Sequence, residues 1–350
     1  MVYSSPSCSY RNSRARYIGR TRRARWINSR RQNNSKCMTT LINGIENAGA
    51  RALRWFIPYC KVCRIESWLS WVFGFGLGNV LFSSSMFDSA VTVLLAFSFA
   101  TASIFVLNQY FDLQEDKKNS FKSDLPLASG ELSPWNALIF SFLLIVSCFA
   151  LLSMTNLSLY LSFFLYLALW TLYSAPYPKL KAIPIVDFLT SGVGAGFFPF
   201  FIGYISTQQS NINILLVILP TIPLTLFHCG AHIIQTIGDY EADRDAGINT
   251  FVVRYGNKNG VKIAGLTFLS AFLSTFICLF ASLVSPVHLI FFILMFPLSI
   301  PPLLRFKQLY ENPCASGVMS LQKTVKKFEV PTLVIASLYV LMTKLVLIGF

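Results

Sequence analysis

A chain of 350 residues that is 54% hydrophobic and only 13% charged lies outside the range of ordinary soluble domains. Its formal charge of +14 is concentrated at the front: residues 1–37 hold nine Arg, one Lys and no acid, which leaves +4 for all the rest.

Residues 1–37 admit three readings. The segment can be an Arg- and Ser-rich transit peptide. It can be a disordered basic arm on anionic lipid, where each surface cation contributes about 1 kcal/mol. It can also be an over-extended start ahead of Met38. Nucleic-acid binding, which any Arg-rich arm suggests, is disfavoured by the apolar body that follows. Residues 38–65 read as a basic, amphipathic lead-in on the membrane surface, carrying Arg51, Arg54, Lys61 and Arg64. Of eight Cys, only Cys60 and Cys63 have a suggestive spacing, and no second pair follows to complete a four-thiolate metal site. Scattered Cys in apolar helices act as small packers.

Apolar segments of membrane-spanning length then follow at about 66–85, 87–111, 134–154, 158–175, 183–206, 213–238, 261–283, 286–304 and 328–350. They predict an all-α, polytopic membrane bundle of about nine helices over residues 66–350. Pro297, Pro301 and Pro302 predict a kink or break in the eighth. The links near 85–88, 154–158, 206–212 and 283–287 contain no Lys or Arg. The alternate links hold Lys117, Lys118 and Lys122, then Lys179 and Lys181, then Arg244, Arg254, Lys258 and Lys262, then Arg305, Lys307, Lys323, Lys326 and Lys327. This alternation places the N-terminus and the basic links on the cytoplasmic face, or the stromal or matrix face of an organelle.

Two acidic stretches end spans on that same face. Asn108, Asp112 and Asp116 recur every four residues, as do Asp239 and Asp243. Residues four apart share one helix face, so each set forms a stripe of carboxylates that repel unless a cation lies between them. Two such stripes suggest a site for hard divalent ions and a phosphate-bearing ligand. Because the second and sixth spans both run into such a stripe, two related halves around a shared cavity are expected.

These stretches, with the link Tyr173-Ser-Ala-Pro-Tyr177-Pro-Lys179-Leu-Lys181, resemble the UbiA-type intramembrane prenyltransferases in order and spacing over roughly residues 60–350. The resemblance implies a helical bundle whose central cavity opens sideways to lipid, with two Mg²⁺ ions bridging the Asp motifs and a polyprenyl diphosphate donor. Asn108, Asp112 and Asp116 correspond to one metal site, Asp239 and Asp243 to the other. Lys179, Lys181 and Arg244 correspond to the diphosphate grip, with Lys118 and Lys122 as weaker candidates. Tyr177 with Lys181 reproduces the family's Tyr-x3-Lys spacing. In that chemistry, cations neutralise the departing diphosphate, a lipophilic acceptor is held beside the allylic carbon, and an apolar cavity excludes water.

The chain departs from the family pattern at Leu125, which stands where the loop before Pro126, Ser129 and Gly130 usually carries Arg; Lys122 is a possible substitute. Gln235 and Thr236 occupy places where quinone- and tocopherol-pathway members often carry Lys-Asp. Tyr-Ser-Ala-Pro followed by Lys-Leu-Lys resembles chlorophyll synthases. His228 and His232 share a helix face before Asp239 and either line the cavity and bond a polar acceptor or bond a neighbouring helix. Asp187 either orients an acceptor hydroxyl or faces the membrane interface. Gly192, Gly194 and Gly196 lack the context of a nucleotide loop and read as close helix packing.

The expected activity is Mg²⁺-dependent prenyl transfer to a lipophilic acceptor, foremost an aromatic, quinone-type ring. The alternatives are a glyceryl phosphate lipid, a chlorophyllide-type acid, a carotenoid, or cyclisation of the donor without an acceptor. A membrane carrier is the reading from a different class, although carriers usually place their binding residues near the midplane.

Overall fold

The computed structural model describes residues 56–82, 90–119, 122–153, 155–207, 214–278 and 286–348. The basic arm, the lead-in through residue 55, residues 120–121 and 349–350, and all or part of each of the four lysine-free links lie outside them. Contacts divide the chain after Pro58, and the fold below is that of Tyr59–Phe350. Among the described residues all regular structure is helical.

The long helices are α1 (Leu69–Phe82), α2 (Ala90–Phe111), α4 (Pro134–Leu152), α5 (Leu157–Ser174), α6 (Val186–Ile205), α7 (Ile214–Gly238), α10 (Asn257–Cys278), α11 (Pro286–Glu311) and α12 (Ala315–Ile348). Short helices α3 (Leu113–Asp116), α8 (Tyr240–Asp245) and α9 (Phe251–Tyr255) fill two of the links. Each of the nine expected spans thus meets a helix. Among the described residues six helices (α2, α4, α5, α6, α7 and α10) are long and apolar enough to cross a membrane.

Local chemistry explains several starts. Ser133 accepts the Asn136 N–H at 3.2 Å ahead of Pro134, and Asn156 accepts the Leu159 N–H at 2.9 Å, so α4 and α5 begin at side-chain caps. Large apolar side chains such as Phe142, Phe164 and Leu165 stay exposed on the outer faces of these helices, as lipid contact requires.

The buried residues form two main clusters. The first joins α1, α2, the end of α4, α5 and part of α6, with Trp71 stacked on Trp170 at 5.0 Å and Phe97 on Tyr166 at 5.6 Å. The second joins α7, α9, α10, α11 and α12 through Ile233, Ile237, Val261, Leu309 and Val318. Helix α6 belongs to both: its first part packs on α7, its last part, Phe198–Ile205, on α1. A π-helical stretch, Val193–Phe197, lies at the change-over. The close-packing reading of its glycines is supported, since a Cβ on Gly194 would come within 2.6 Å of the Trp170 ring and one on Gly196 within 2.6 Å of the Thr225 backbone.

Two expectations about the C-terminal part are corrected. Helix α11 continues through Pro297, Pro301 and Pro302, which overturns the break, one of the two outcomes expected there. Prolines are tolerated in such helices because neighbouring groups satisfy the freed backbone. Helix α12 begins at Ala315, well before residue 328, and its Lys323, Lys326 and Lys327 lie on its first turns rather than in a loop. Burial of Val318 and Leu321 against the second cluster accounts for that earlier start.

Candidate active site

The expected carboxylate stripes are not continuous helix faces. Helix α2 ends at Phe111, and Asp112 takes φ −92°, ψ 5° before α3 begins. Helix α7 ends at Gly238, and Asp239 takes φ −92°, ψ 0° before α8 begins. Both residues lie in the sparsely populated bridge region of the backbone. The four-residue hydrogen bonding survives the change: Asp112 N–H reaches Asn108 O at 2.9 Å and Asp116 N–H reaches Asp112 O at 2.8 Å. Asp243 N–H likewise reaches Asp239 O at 2.9 Å. An Asp opening a helix ordinarily caps it, yet neither side chain does so. Both carboxylates are turned elsewhere.

They are turned toward lysines from other links. Lys181 donates to Asp112 Oδ1 and, at 2.9 Å, to Glu115 Oε2. Lys179 donates to Glu115 Oε1 at 2.5 Å. Lys122 donates to Asp239 Oδ2 at 2.9 Å, and Asn119 to Asp239 Oδ1 at 3.0 Å. Asn108 Nδ2 donates to Asp112 Oδ2 at 2.8 Å and to Ser174 Oγ at 3.1 Å. The ends of α2, α5 and α7 and the link after α3 therefore meet in one charged cluster. Lys179 holds a left-handed backbone at φ 54°, a conformation costing about 1–2 kcal/mol for a residue with a Cβ, and its ion pair to Glu115 helps retain it.

One ammonium between two carboxylates bonds both but leaves a net negative charge. Burial lifts Asp112 above the ordinary carboxylate range despite Lys181. Glu115 is held below that range because the attraction of Lys181 and Lys179 outweighs its own burial. Burial raises Asp116 to about 6, with Asp112 adding to the effect. Burial and the Asp239 charge raise Asp243 to about 7. Five carboxylates face three lysines here, so the cluster favours a further cation.

Other expected residues fall outside it. Tyr177 is 90% exposed; the chain turns at Pro178 and Lys179, and Tyr173 is the tyrosine that points into the bundle. The Tyr173 hydroxyl lies 3.3 Å from His232 Nε2. Lys118 is exposed and makes none of the cluster's ion pairs. Arg244 pairs with its own neighbours, Glu241 and Asp245, and lies over the Tyr240 ring. Asp187 is fully buried, and its Oδ2 accepts the Phe251 N–H at 2.7 Å, so it anchors the start of α9. Conversely, Glu115, Asn119 and Ser174 join the cluster although spacing alone did not single them out. Glu115 was hidden beside Asp116, off the four-residue repeat.

The donor set fits Mg²⁺. Among the described residues no three His, Cys, Asp or Glu side chains converge to hold a metal unaided. Mg²⁺, however, is typically bound by one or two carboxylates plus substrate phosphates rather than by an all-protein cage. The oxygen-only donors of Asp112 and Asp239, crowded by their acidic neighbours, are of that kind.

Thr221, Thr225, His228 and His232 follow at intervals of four, three and four along α7, one stripe of the helix, and Asp239 comes seven residues later, just past the helix end. An apolar cavity of about 380 Å³ at its far end is lined by Val193, Phe197, Thr221, Ile222, Thr225 and Leu226.

The profile described as the UbiA prenyltransferase family matches residues 68–322. A protein of Methanococcus maripaludis named digeranylgeranylglyceryl phosphate synthase is 29% identical over 242 residues, covering 67% of this chain and 77% of that protein. A protein of Oryza sativa named probable homogentisate phytyltransferase 2, chloroplastic, is 31% identical over 160 residues, covering 44% and 41%. The fold is similar to the structure of a UbiA homolog from Archaeoglobus fulgidus bound to GPP and Mg²⁺, with TM-score 0.59 and 18% identity over 84% of this chain and 100% of the other.

Proposed function

We propose, from the premise that this chain belongs to the UbiA prenyltransferase family and is an integral-membrane prenyltransferase, that it transfers a geranylgeranyl-type chain from its diphosphate to the hydroxyl of a glyceryl phosphate lipid. The bond between the allylic carbon and the diphosphate oxygen breaks, an ether bond to the lipid oxygen forms, and diphosphate leaves.

The single observation that carries the acceptor is the alignment with the Methanococcus synthase over most of that protein's length. This reverses the order expected from sequence, where the aromatic ring stood first. The aromatic acceptor remains as a second reading, favoured by the rice relative over less than half of its length.

The roles follow from the ion pairs. Lys122, Lys179 and Lys181 each hold a carboxylate that a diphosphate oxygen can replace, so they bind the donor and stabilise the charge of the leaving group. Asn108, Asp112, Asp116, Asp239 and Asp243 would hold Mg²⁺. Bound there, the ion supplies Lewis-acid neutralisation of the diphosphate. Tyr173 and His232 lie on the bundle side of the acids, where the allylic end of the prenyl chain would lie. The apolar walls keep water from the allylic carbon, and the cavity between α6 and α7 suits a hydrocarbon tail. The basic links favour the cytoplasmic, stromal or matrix face for the site.

The test is incubation of purified protein in detergent with geranylgeranyl diphosphate, Mg²⁺ and either geranylgeranylglyceryl phosphate or homogentisate, followed by mass spectrometry. The expected result is a lipid heavier by one geranylgeranyl unit, absent from an Asp112→Asn, Asp239→Asn double variant. An adduct formed only with homogentisate would overturn the acceptor. Absence of diphosphate release from folded protein with any donor would overturn the activity and favour a carrier.

A further inference from the structure

A hydroxyl acceptor brings a proton that must leave as the ether forms, and the charged cluster has little capacity to take it. The ammonium groups of Lys122, Lys179 and Lys181 are donors, Asp112, Glu115 and Asp239 are engaged with them, and Asp116 and Asp243 would be taken up by Mg²⁺ on the reading above. Asp187 is turned toward the Phe251 backbone. One pair deeper in the bundle is arranged otherwise.

Tyr173 occupies the last turn of α5, next to Ser174, whose Oγ accepts from Asn108. His232 lies seven residues before Asp239, in the last two turns of α7, roughly 10 Å along the axis. The two rings meet edge to face at 5.9 Å, with the phenol oxygen 3.3 Å from Nε2. The pair therefore spans the two halves of the site, one residue from each, on the inner side of the acids. Tyr173 is buried, whereas His232, within the last two turns of α7, keeps some accessible surface through which a substrate can approach.

We infer that Tyr173 and His232 form a relay that removes the acceptor proton. This rests on the glyceryl-lipid reading. As the lipid oxygen bonds to the allylic carbon, its proton passes to the Tyr173 oxygen while the Tyr173 proton passes to His232 Nε2. The electron pair of the broken carbon–oxygen bond leaves with diphosphate, and the imidazolium later returns the proton to water. The Tyr173 oxygen gains one proton as it gives up another, so the phenol stays neutral and both transfers belong to one step.

The experiment follows three products of the full chain with geranylgeranyl diphosphate, Mg²⁺ and geranylgeranylglyceryl phosphate: the ether lipid, free diphosphate and the prenyl alcohol formed by water capture. Tyr173→Phe keeps the ring and removes only the hydroxyl; His232→Gln removes the proton acceptor. General bases contribute about 10²–10⁴-fold, so each variant should lose at least about tenfold in ether formation. Diphosphate release should fall less, and the alcohol share should rise. The product ratio is read within one reaction, so it does not depend on how much protein is folded. Ether share and rate within about twofold of the parent, or release and ether falling in parallel, would overturn the relay in favour of plain helix bonding. Failure of the parent chain itself to make the ether would overturn the acceptor reading, and the relay with it.

Discussion

Asp112 and Asp239 each follow the last residue of a long helix, each in the same bridge-region conformation, and each declines to cap the short helix it opens. The carboxylate is thereby released from its own backbone and turned to a lysine from a distant link. The four-residue spacing that made these acids legible comes from helix geometry. The kink, and the entry of Glu115, Asn119 and Ser174, depend on contacts 64 to 120 residues apart in sequence, which no local pattern carries. The lysines show the same limit. Lys118 and Lys122 are equivalent in the sequence, but only Lys122 reaches the cluster. Lys122→Met is therefore expected to lower kcat/KM for the prenyl diphosphate by at least about tenfold, since it removes a cation aimed at the leaving group. Lys118→Met should stay within about twofold, as an exposed charge contributes little. Initial rates of diphosphate release compare the two, and equal losses would place the grip elsewhere.

Helix α6 shows what happens at the scale of an element. Its sequence reads as one apolar span with three clustered glycines, and hydropathy gives the length correctly. It cannot give the π-helical stretch, because that depends on α6 packing against α7 at one end and α1 at the other. A π turn carries an extra residue and rotates the following face, which lets one helix serve two cores. Beyond it, Gly203 faces the Phe75 carbonyl of α1, while Gly78 of α1 faces the Phe200 carbonyl of α6. The two backbones come so close that a Cβ at either position would overlap the opposing oxygen. Gly203→Ala should destabilise the purified protein by about 1–3 kcal/mol, the usual range for overpacking, and lower its thermal midpoint in detergent. Gly265→Ala is the control. Its Cβ would lie 3.5 Å from the Phe306 ring, an ordinary contact, and Ala is the better helix former by about 1 kcal/mol. A Gly203 variant as stable as the Gly265 variant would mean that α1 and α6 part more easily than their packing implies.

At the scale of the whole molecule, the site is the place where two separately packed halves are joined by charge. One half carries α2 with Asp112, the other α7 with Asp239, each with its own buried cluster. Lys122 and Asn119, which follow α3 in the first half, reach across to Asp239 of the second. The expectation of related halves drew on two similar motifs; the structure adds matched backbone geometry at Asp112 and Asp239, which sequence similarity was too slight to reveal. If both acids serve one diphosphate, they act as a unit, and losses from groups acting as a unit do not multiply. Asp112→Asn and Asp239→Asn should each cost roughly a hundredfold or more in kcat, as loss of a leaving-group contact does. The double variant should then fall no more than about tenfold further. Diphosphate release under saturating donor and Mg²⁺ measures all three. Losses that multiply fully would mean that each half binds its own portion of the substrate independently, and the lysine ties between them would then be structural rather than part of the donor site.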